Sequence, residues 1–374
     1  MYQAKIDPDA LAEDPSEREI VSGSMPIAAL SGDDAPPIYW RALDRHARWP
    51  TQTHDFLTAL PPLLTGQLTR IVYVRRDRRL TGLVPLCRDE GYFARWRLAG
   101  VRELSEPGDI ASASDADAAG LAQVLRHLGR PLALDRVSAD SSFLPALRAA
   151  MRGRGWVVVR PAMPCPVITL DGSWRDPEAK FNSGRRSDFR RAMRKASGFG
   201  AVQMETLSPD LSTFDALFDE AVAVEHRSWK QEAGTSILAC QRREAFFRRF
   251  LRSAAADGRA RISFLRIDGV AVAMQLALVW QGRYWLFKIG HDAAFDKCSP
   301  GTLLMLHCLR EAAESGLQSF ELLGVAEPWI ARFWTREQRD CVHVRTYPAN
   351  LRGGVALAQD AFRWFRENAV RRRK

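Results

Sequence analysis

Glu225 sits in the segment LSTFDALFDEAVAVEHRSWK, where Phe214, Phe218 and Ala221 precede it at spacings of 4, 3 and 4. On a helix that spacing puts its carboxylate on the core-facing stripe. A carboxylate held against apolar side chains keeps its proton more tightly than one in water, which suits a general base working near neutral pH. A glutamate paired with an arginine at the helix end would give the same pattern. His226 falls away from that stripe, with Asp215 and Asp219, and reads as a surface residue. In GRYWLFKIGHD, Lys288 and Asp292 share strand parity with Tyr284 and Leu286. Charges on a strand that otherwise reads as buried must pair or line a cavity. Lys288 is therefore a candidate to stabilise an oxyanion or contact an acceptor, and Asp292 is its partner or an alternative base. A structural ion pair fits the same residues. Gln275, alone in an apolar strand, faces the same cleft or bonds a neighbouring backbone.

A second kind of site lies in FDKCSPGTLLMLHCL, residues 295–309. Ser299 suits an N-cap and Pro300 the first helical position. Gly301 weakens a helix by roughly 1 kcal/mol relative to alanine unless something must approach the backbone. Free N–H groups and the helix dipole make such an end an anion site. Lys297, Ser299, Gly301 and Thr302 are the candidates to hold a phosphate, and an ordinary capped helix is the competing reading. Cys298 has no His-Asp pattern to make it a nucleophile.

The run NSGRRSDFRRAMRKA is a third candidate. As a helix it buries Phe189, Ala192, Met193 and Ala196 and leaves its arginines and lysine outward, a common solvated face. Arg185 and Arg186, however, stand near the helix start, where positive charge opposes the dipole. An anionic acceptor bound by Arg185, Arg186 and Arg190 would account for that placement. Trp229 and Lys230 are candidates beside them, with a core tryptophan as the plainer alternative.

These groups need a frame. Residues 1–35 lack a sustained period and are expected to be disordered. Residues 70–76 and 80–87 predict a hairpin; a helix over 115–129, a strand at 131–137, a helix at 143–152 and a strand at 155–160 follow. The Pro-rich PAMPCP (161–166) marks the expected boundary between an N-terminal domain, 36–160, and a C-terminal domain, 161–374. Beyond it come a strand at 201–207, helices at 210–230 and 240–256, and three strands joined by the turns Asp268-Gly269 and Gln281-Gly282. A helix over 300–315 stops at Gly316. A strand at 318–324, a short helix, a strand at 341–347 and a helix at 353–370 complete the chain, whose basic RRRK tail reads as solvated.

Composition limits the possibilities. The chain has 374 residues, 46% hydrophobic and 26% charged, the profile of a soluble globular protein. No apolar run reaches the roughly 18 residues of a membrane span, and the acidic N-terminus is unlike a signal peptide. Six cysteines without CxxC spacing suggest a reducing cytoplasm and no metal site. A net charge of +10 favours anionic partners.

In sequence the second half runs β-α-α-β-β-β-α-β-α-β. With RRSDFRRAMRKA, VEHRSWKQEAG, YWLFKIGHDAAFDKCSPGTLL and FELLG, it resembles the GNAT acyltransferase superfamily, most closely the CelD-like acetyltransferases of cellulose and exopolysaccharide biosynthesis, and more distantly the FemX-type transferases. The resemblance covers roughly residues 175–335 and reaches the first half only through element order. It implies an α/β (α+β) fold of tandem GNAT-like halves, the first degenerate, each a mixed, mostly antiparallel twisted sheet flanked by helices. It further implies transfer of an acyl group, acetyl first, from acyl-CoA without a metal to an amine or hydroxyl of a small-molecule or glycan-precursor acceptor. Two alternatives stand beside it: an aminoacyl-tRNA donor, as in FemX-type enzymes, and a catalytically inactive binding module. The subgroup often carries a Tyr-Lys pair where this chain has Ile330-Ala331, with Trp334 retained, so the chain either lacks that lysine or supplies its role from Arg332 or elsewhere.

Overall fold

The first described strand already departs from the sequence expectation. A computed structural model describes residues 21–27, 41–76, 79–228, 234–324 and 327–371. Within the stretch expected to be disordered, β1 (Val21–Met25) pairs antiparallel with β2 (Leu68–Arg76). Strand β2 turns back into β3 (Arg79–Arg88), the expected hairpin, and the short β4 (Arg97–Leu98) and β5 (Ala111–Ser112) both pair with β3. The helices of this part are α1 (His54–Ala59), α2 (Val101–Leu104), α3 (Asp115–His127) and α4 (Phe143–Met151). The Ser114 side chain caps α3 by accepting the Asp117 N–H.

A larger sheet of eight strands occupies the rest. Its members are β6 (Ala133–Ser138), β7 (Gly155–Thr169), β8 (Val202–Leu207), β9 (Ala260–Ile267), β10 (Val270–Trp280), β11 (Arg283–His291), β12 (Ser319–Leu322) and β13 (Gln338–Pro348), in the spatial order β6-β13-β7-β12-β11-β10-β9-β8. The helices are α5 (Ser183–Ser197), α6 (Phe214–His226), α7 (Gln241–Ala256), α8 (Pro300–Glu314), α9 (Pro328–Phe333) and α10 (Leu351–Arg371). Both turns of the central meander have two successive residues at positive φ, 49° and 78° at Asp268-Gly269 and 50° and 69° at Gln281-Gly282, the geometry that suits the right-handed twist of a hairpin.

The Pro-rich segment is not a break. Strand β7 runs through Pro161, Pro164 and Pro166 and stays paired with β13, with a register shift opposite Arg339 and Cys341. Proline's fixed φ suits an extended strand, and Pro164 falls within the irregularity, where a missing N–H donor breaks no regular pair. At its far end β7 pairs with β12, so one strand carries both ladders.

Three apolar clusters hold the layers together. One lies between β9–β11 and helices α6 and α7, and it draws in Phe56 of α1, whose ring meets Phe246 and Phe250 edge-on at 5.1 and 5.3 Å. A second fills the other face of these strands against α5 and α8. The third packs α3 and α4 on β2–β4, β6 and β13.

Candidate active site

One geometric fact organises the site. Strands β11 and β12 pair in parallel only from Arg283↔Ser319 to Leu286↔Leu322. A last bond, Leu323 N–H to Leu286 O at 3.3 Å, closes the ladder. Strand β11 continues to His291 along β10, but beyond Leu286 no strand lies on its other side among the described residues. The divergence opens a cavity of about 460 Å³. It runs from Phe287, Lys288 and Leu323-Gly324 at the apex to Ser299, Gly301 and Thr302 at the start of α8.

A bulge aims the side chains at the apex. Leu276 of β10 faces Lys288 while the next residue, Ala277, faces Leu286, leaving Phe287 as an extra residue on β11. This overturns the parity expected from sequence. Tyr284 and Leu286 point into the α8 side, whereas Trp285 and Phe287 join the α7 side. Lys288 follows them, its ammonium over the Phe247 ring at 5.1 Å. It is half-buried, lines the cavity and has no contact with Asp292.

Asp292 is spent elsewhere. One oxygen takes the Arg227 Nε–H at 2.6 Å and the other caps the short 3-10 helix 293–298 through the Ala294 N–H. The ion pair expected for this residue exists, with Arg227 in place of Lys288. Glu225 is fully buried on the predicted core face of α6, where Oε2 accepts the Ile237 N–H at 2.8 Å. It packs behind Gly290 and does not line the cavity. Its neighbour His226 is half-buried, with Nδ1 at 3.0 Å from Ser236 Oγ, where a surface residue was expected.

At the helix start, Ser299 takes a left-handed conformation and makes no side-chain cap. The Thr302 and Leu303 amides both turn to Ser299 O, at 3.0 and 3.3 Å. Among the described residues the Gly301 N–H has no partner, and a Cβ there would stand 3.4 Å from His291 Nδ1. The cradle for an anion is thus one open amide on a helix dipole, narrower than four free N–H groups. Lys297 is exposed and lies off the cavity wall, contrary to its expected contact. Cys298 is buried, donates to Phe295 O, and has its thiol pKa raised by burial, so it is no nucleophile.

The arginines of α5 stand off the slot. Asn182 caps that helix through the Arg185 N–H, and the Arg185 guanidinium lies over Phe333 at 4.1 Å. Arg186 and Arg190 are exposed, and none of the three lines the cavity. Trp229 and Lys230 lie outside the described residues. On the β12 side Ile330 and Trp334 form wall, and Arg332 is exposed against Phe333, so it does not replace the missing lysine in the slot. Gln275 does face the cleft, with Nε2 at 3.6 Å from Met305 Sδ.

Two features were missed from sequence. His291 lines the cavity with Nε2 at 2.7 Å from Asp296 Oδ1; its position at the end of a strand beside the Asp-Lys turn was the available signal. Glu106 comes from the first half and is fully buried. Its Oε2 accepts the Gly324 N–H at 2.7 Å at the slot apex, while among the described residues Oε1 has no hydrogen-bond partner. Burial raises its pKa, and the nearby charges of Lys288 and Arg136 and the Gly324 N–H hold that rise back. No local pattern marks Glu106.

Residues 183–329 match the family model for an acetyltransferase (GNAT) domain. That stretch contains the divergent strand pair and the start of α8, so the match to an acetyltransferase domain falls on the slot itself. Solved structures share the fold across nearly the whole length. The C-terminal domain (DUF2156) of an Agrobacterium fabrum protein assigned as a lysylphosphatidylglycerol synthetase aligns at TM-score 0.54 and 13% identity, covering 87% of this chain and 94% of that one. FemX aligns at 0.54 and 11% identity, covering 88% and 98%. A conserved protein of unknown function from Bacteroides thetaiotaomicron aligns at 0.51 and 10%, covering 84% and 98%. No curated protein matches the chain. Among the described residues no cluster of three or more His, Cys, Asp or Glu is placed to hold a metal, and no helix is long and apolar enough to cross a membrane.

Proposed function

We propose that the chain is an acyl-CoA-dependent N- or O-acyltransferase, acetyl-CoA being the first donor to test. The observation that carries this reading is the slot that opens where β12 leaves β11 and runs to the bare Gly301 amide. Its shape fits an extended thioester chain with a phosphate end, and Gly301, having no Cβ, leaves its amide open to such an end. Bound acyl-CoA would supply an acyl group activated as a thioester. Ser299, Gly301 and Thr302 would hold its diphosphate, and Lys288, at the apex, would donate to the developing oxyanion. Glu225, which lies behind Gly290 and off the cavity wall, is the proposed base for the acceptor proton through one intervening water, and Arg185, Arg186 and Arg190 are proposed to draw an anionic acceptor toward the mouth. The resemblance to CelD-like enzymes supports a small-molecule or glycan precursor of polysaccharide or envelope biosynthesis as that acceptor, in the cytoplasm.

The test is thermal shift and calorimetry against a panel of acyl-CoAs. Acetyl-CoA is expected to raise Tm, and Gly301→Glu to abolish the rise by setting a carboxylate where phosphate should lie. Salt-sensitive tRNA binding without any acyl-CoA response would replace this reading by an aminoacyl-tRNA donor. Silence toward both would leave a binding module.

A further inference from the structure

Helix α10 is amphipathic, but it is mounted the wrong way round. Gly353, Ala356 and Asp360 recur at spacings of 3 and 4 and face the body. A Cβ on Gly353 would collide with Pro348 O, Ala356 is 1% exposed, and Asp360 takes hydrogen bonds from Arg95 and from Tyr347 Oη at 2.8 Å. A helix on a globular body normally buries its apolar stripe. Here the docking face is small and polar, and the apolar residues Leu351, Ala358, Phe362 and Phe365 point away from it. Leu351 is 66%, Phe362 70% and Phe365 65% exposed. Trp364 and Leu357 widen the surface on one flank, while Arg352, Arg363 and Arg366 line the other. The surface continues onto the body, where exposed Tyr92 and Phe93 meet the helix through Arg352, stacked over the Tyr92 ring at 4.2 Å.

We propose that this face lies on an anionic lipid bilayer, with α10 in the plane of the headgroups. Charge selects that occupant. The stretch 351–374 carries seven arginines and lysines against two carboxylates, and its last four residues are Arg371-Arg372-Arg373-Lys374. Outward aromatic side chains flanked by arginine suit the boundary between headgroups and acyl chains, and basic residues there are attracted to a negative leaflet. A second copy of the chain is a poor occupant. A two-fold contact would set the same basic segment against itself, and like charges across an interface are costly. The inference stands apart from the acyl-transfer reading, since none of its residues lines the slot.

Co-sedimentation of the full chain with vesicles tests it. Phosphatidylglycerol vesicles should pull the protein down at low salt, phosphatidylcholine vesicles should not, and added salt should release it. The double variant Phe362→Ser/Phe365→Ser, which removes only outward side chains, should bind at least about tenfold more weakly while its Tm is unchanged. No sedimentation with anionic vesicles overturns the proposal, and so does equal binding by the double variant. A chain that is dimeric in solution and becomes monomeric in the double variant, without vesicle binding, assigns the face to self-association instead.

Discussion

Glu106 and Gly324 are 218 positions apart in sequence and joined by a 2.7 Å hydrogen bond at the apex of the slot. That bond ties a loop of the first half to the point where β12 ends. Glu106→Gln keeps an acceptor for the Gly324 N–H and removes the ionisable group, whereas Glu106→Leu leaves the donor unpaired. Urea denaturation should show the leucine variant destabilised by about 1–3 kcal/mol and the glutamine variant by clearly less. Equal losses would show that the bond does not hold the apex.

Asp109 gives a pH signature to stability. Burial raises its pKa to about 7, against the hydrogen bonds from Ser141 Oγ and the Ile110 N–H, and Asp44 is raised to about 6 chiefly by burial. A carboxyl that keeps its proton when folded but releases it at about pH 4 when unfolded makes the folded state the one with more bound protons. Stability should therefore fall as pH rises from about 4 to about 7, with the Asp109 contribution at most of order 4 kcal/mol. Asp109→Asn should flatten that slope in urea titrations across the window. An unchanged slope would remove Asp109 as its source.

Gly290 allows β11 to pass α6 at close range. A Cβ there would sit 2.8 Å from Cα of Glu225 and 2.9 Å from its Cγ, so one of the two elements must shift. Gly290→Ala is expected to cost about 1–3 kcal/mol, read as a lower urea midpoint. A variant as stable as the parent would mean that α6 gives way freely.

Lys288 and Glu225 separate by kinetics. Lys288→Met preserves much of the packing on Phe247 and removes the ammonium. It should lower kcat by about 10²-fold with acetyl-CoA affinity intact. Glu225→Gln keeps an acceptor for the Ile237 N–H, so a fall in kcat at unchanged Tm would mark lost base chemistry, and unchanged turnover would strike Glu225 from the mechanism.

The local signals in the sequence were reliable where a single backbone conformation was at stake. Asp268-Gly269 and Gln281-Gly282 turn as their residue types demand, and Pro300-Gly301 opens a helix. Side-chain direction was less legible. Alternation along GRYWLFKIGHD predicts the face of Lys288 only if the strand is regular, and one extra residue at Phe287 reverses it. The same limit misled the reading of PAMPCP, because proline ends a helix but lies easily in an extended strand whose partner takes up the irregularity. Glu106 was invisible because its role depends on tertiary contacts, with Gly324 and Lys288 supplied by the other half of the chain.

Strand β13, almost the last element made, is inserted between β6 and β7. During synthesis those two strands must wait, each with a bare hydrogen-bonding edge, until residues 338–348 leave the ribosome. The nascent protein therefore cannot finish its first half before its second, and a stop codon between Thr169 and Gln338 would release a product with both edges still open to pairing with a neighbour.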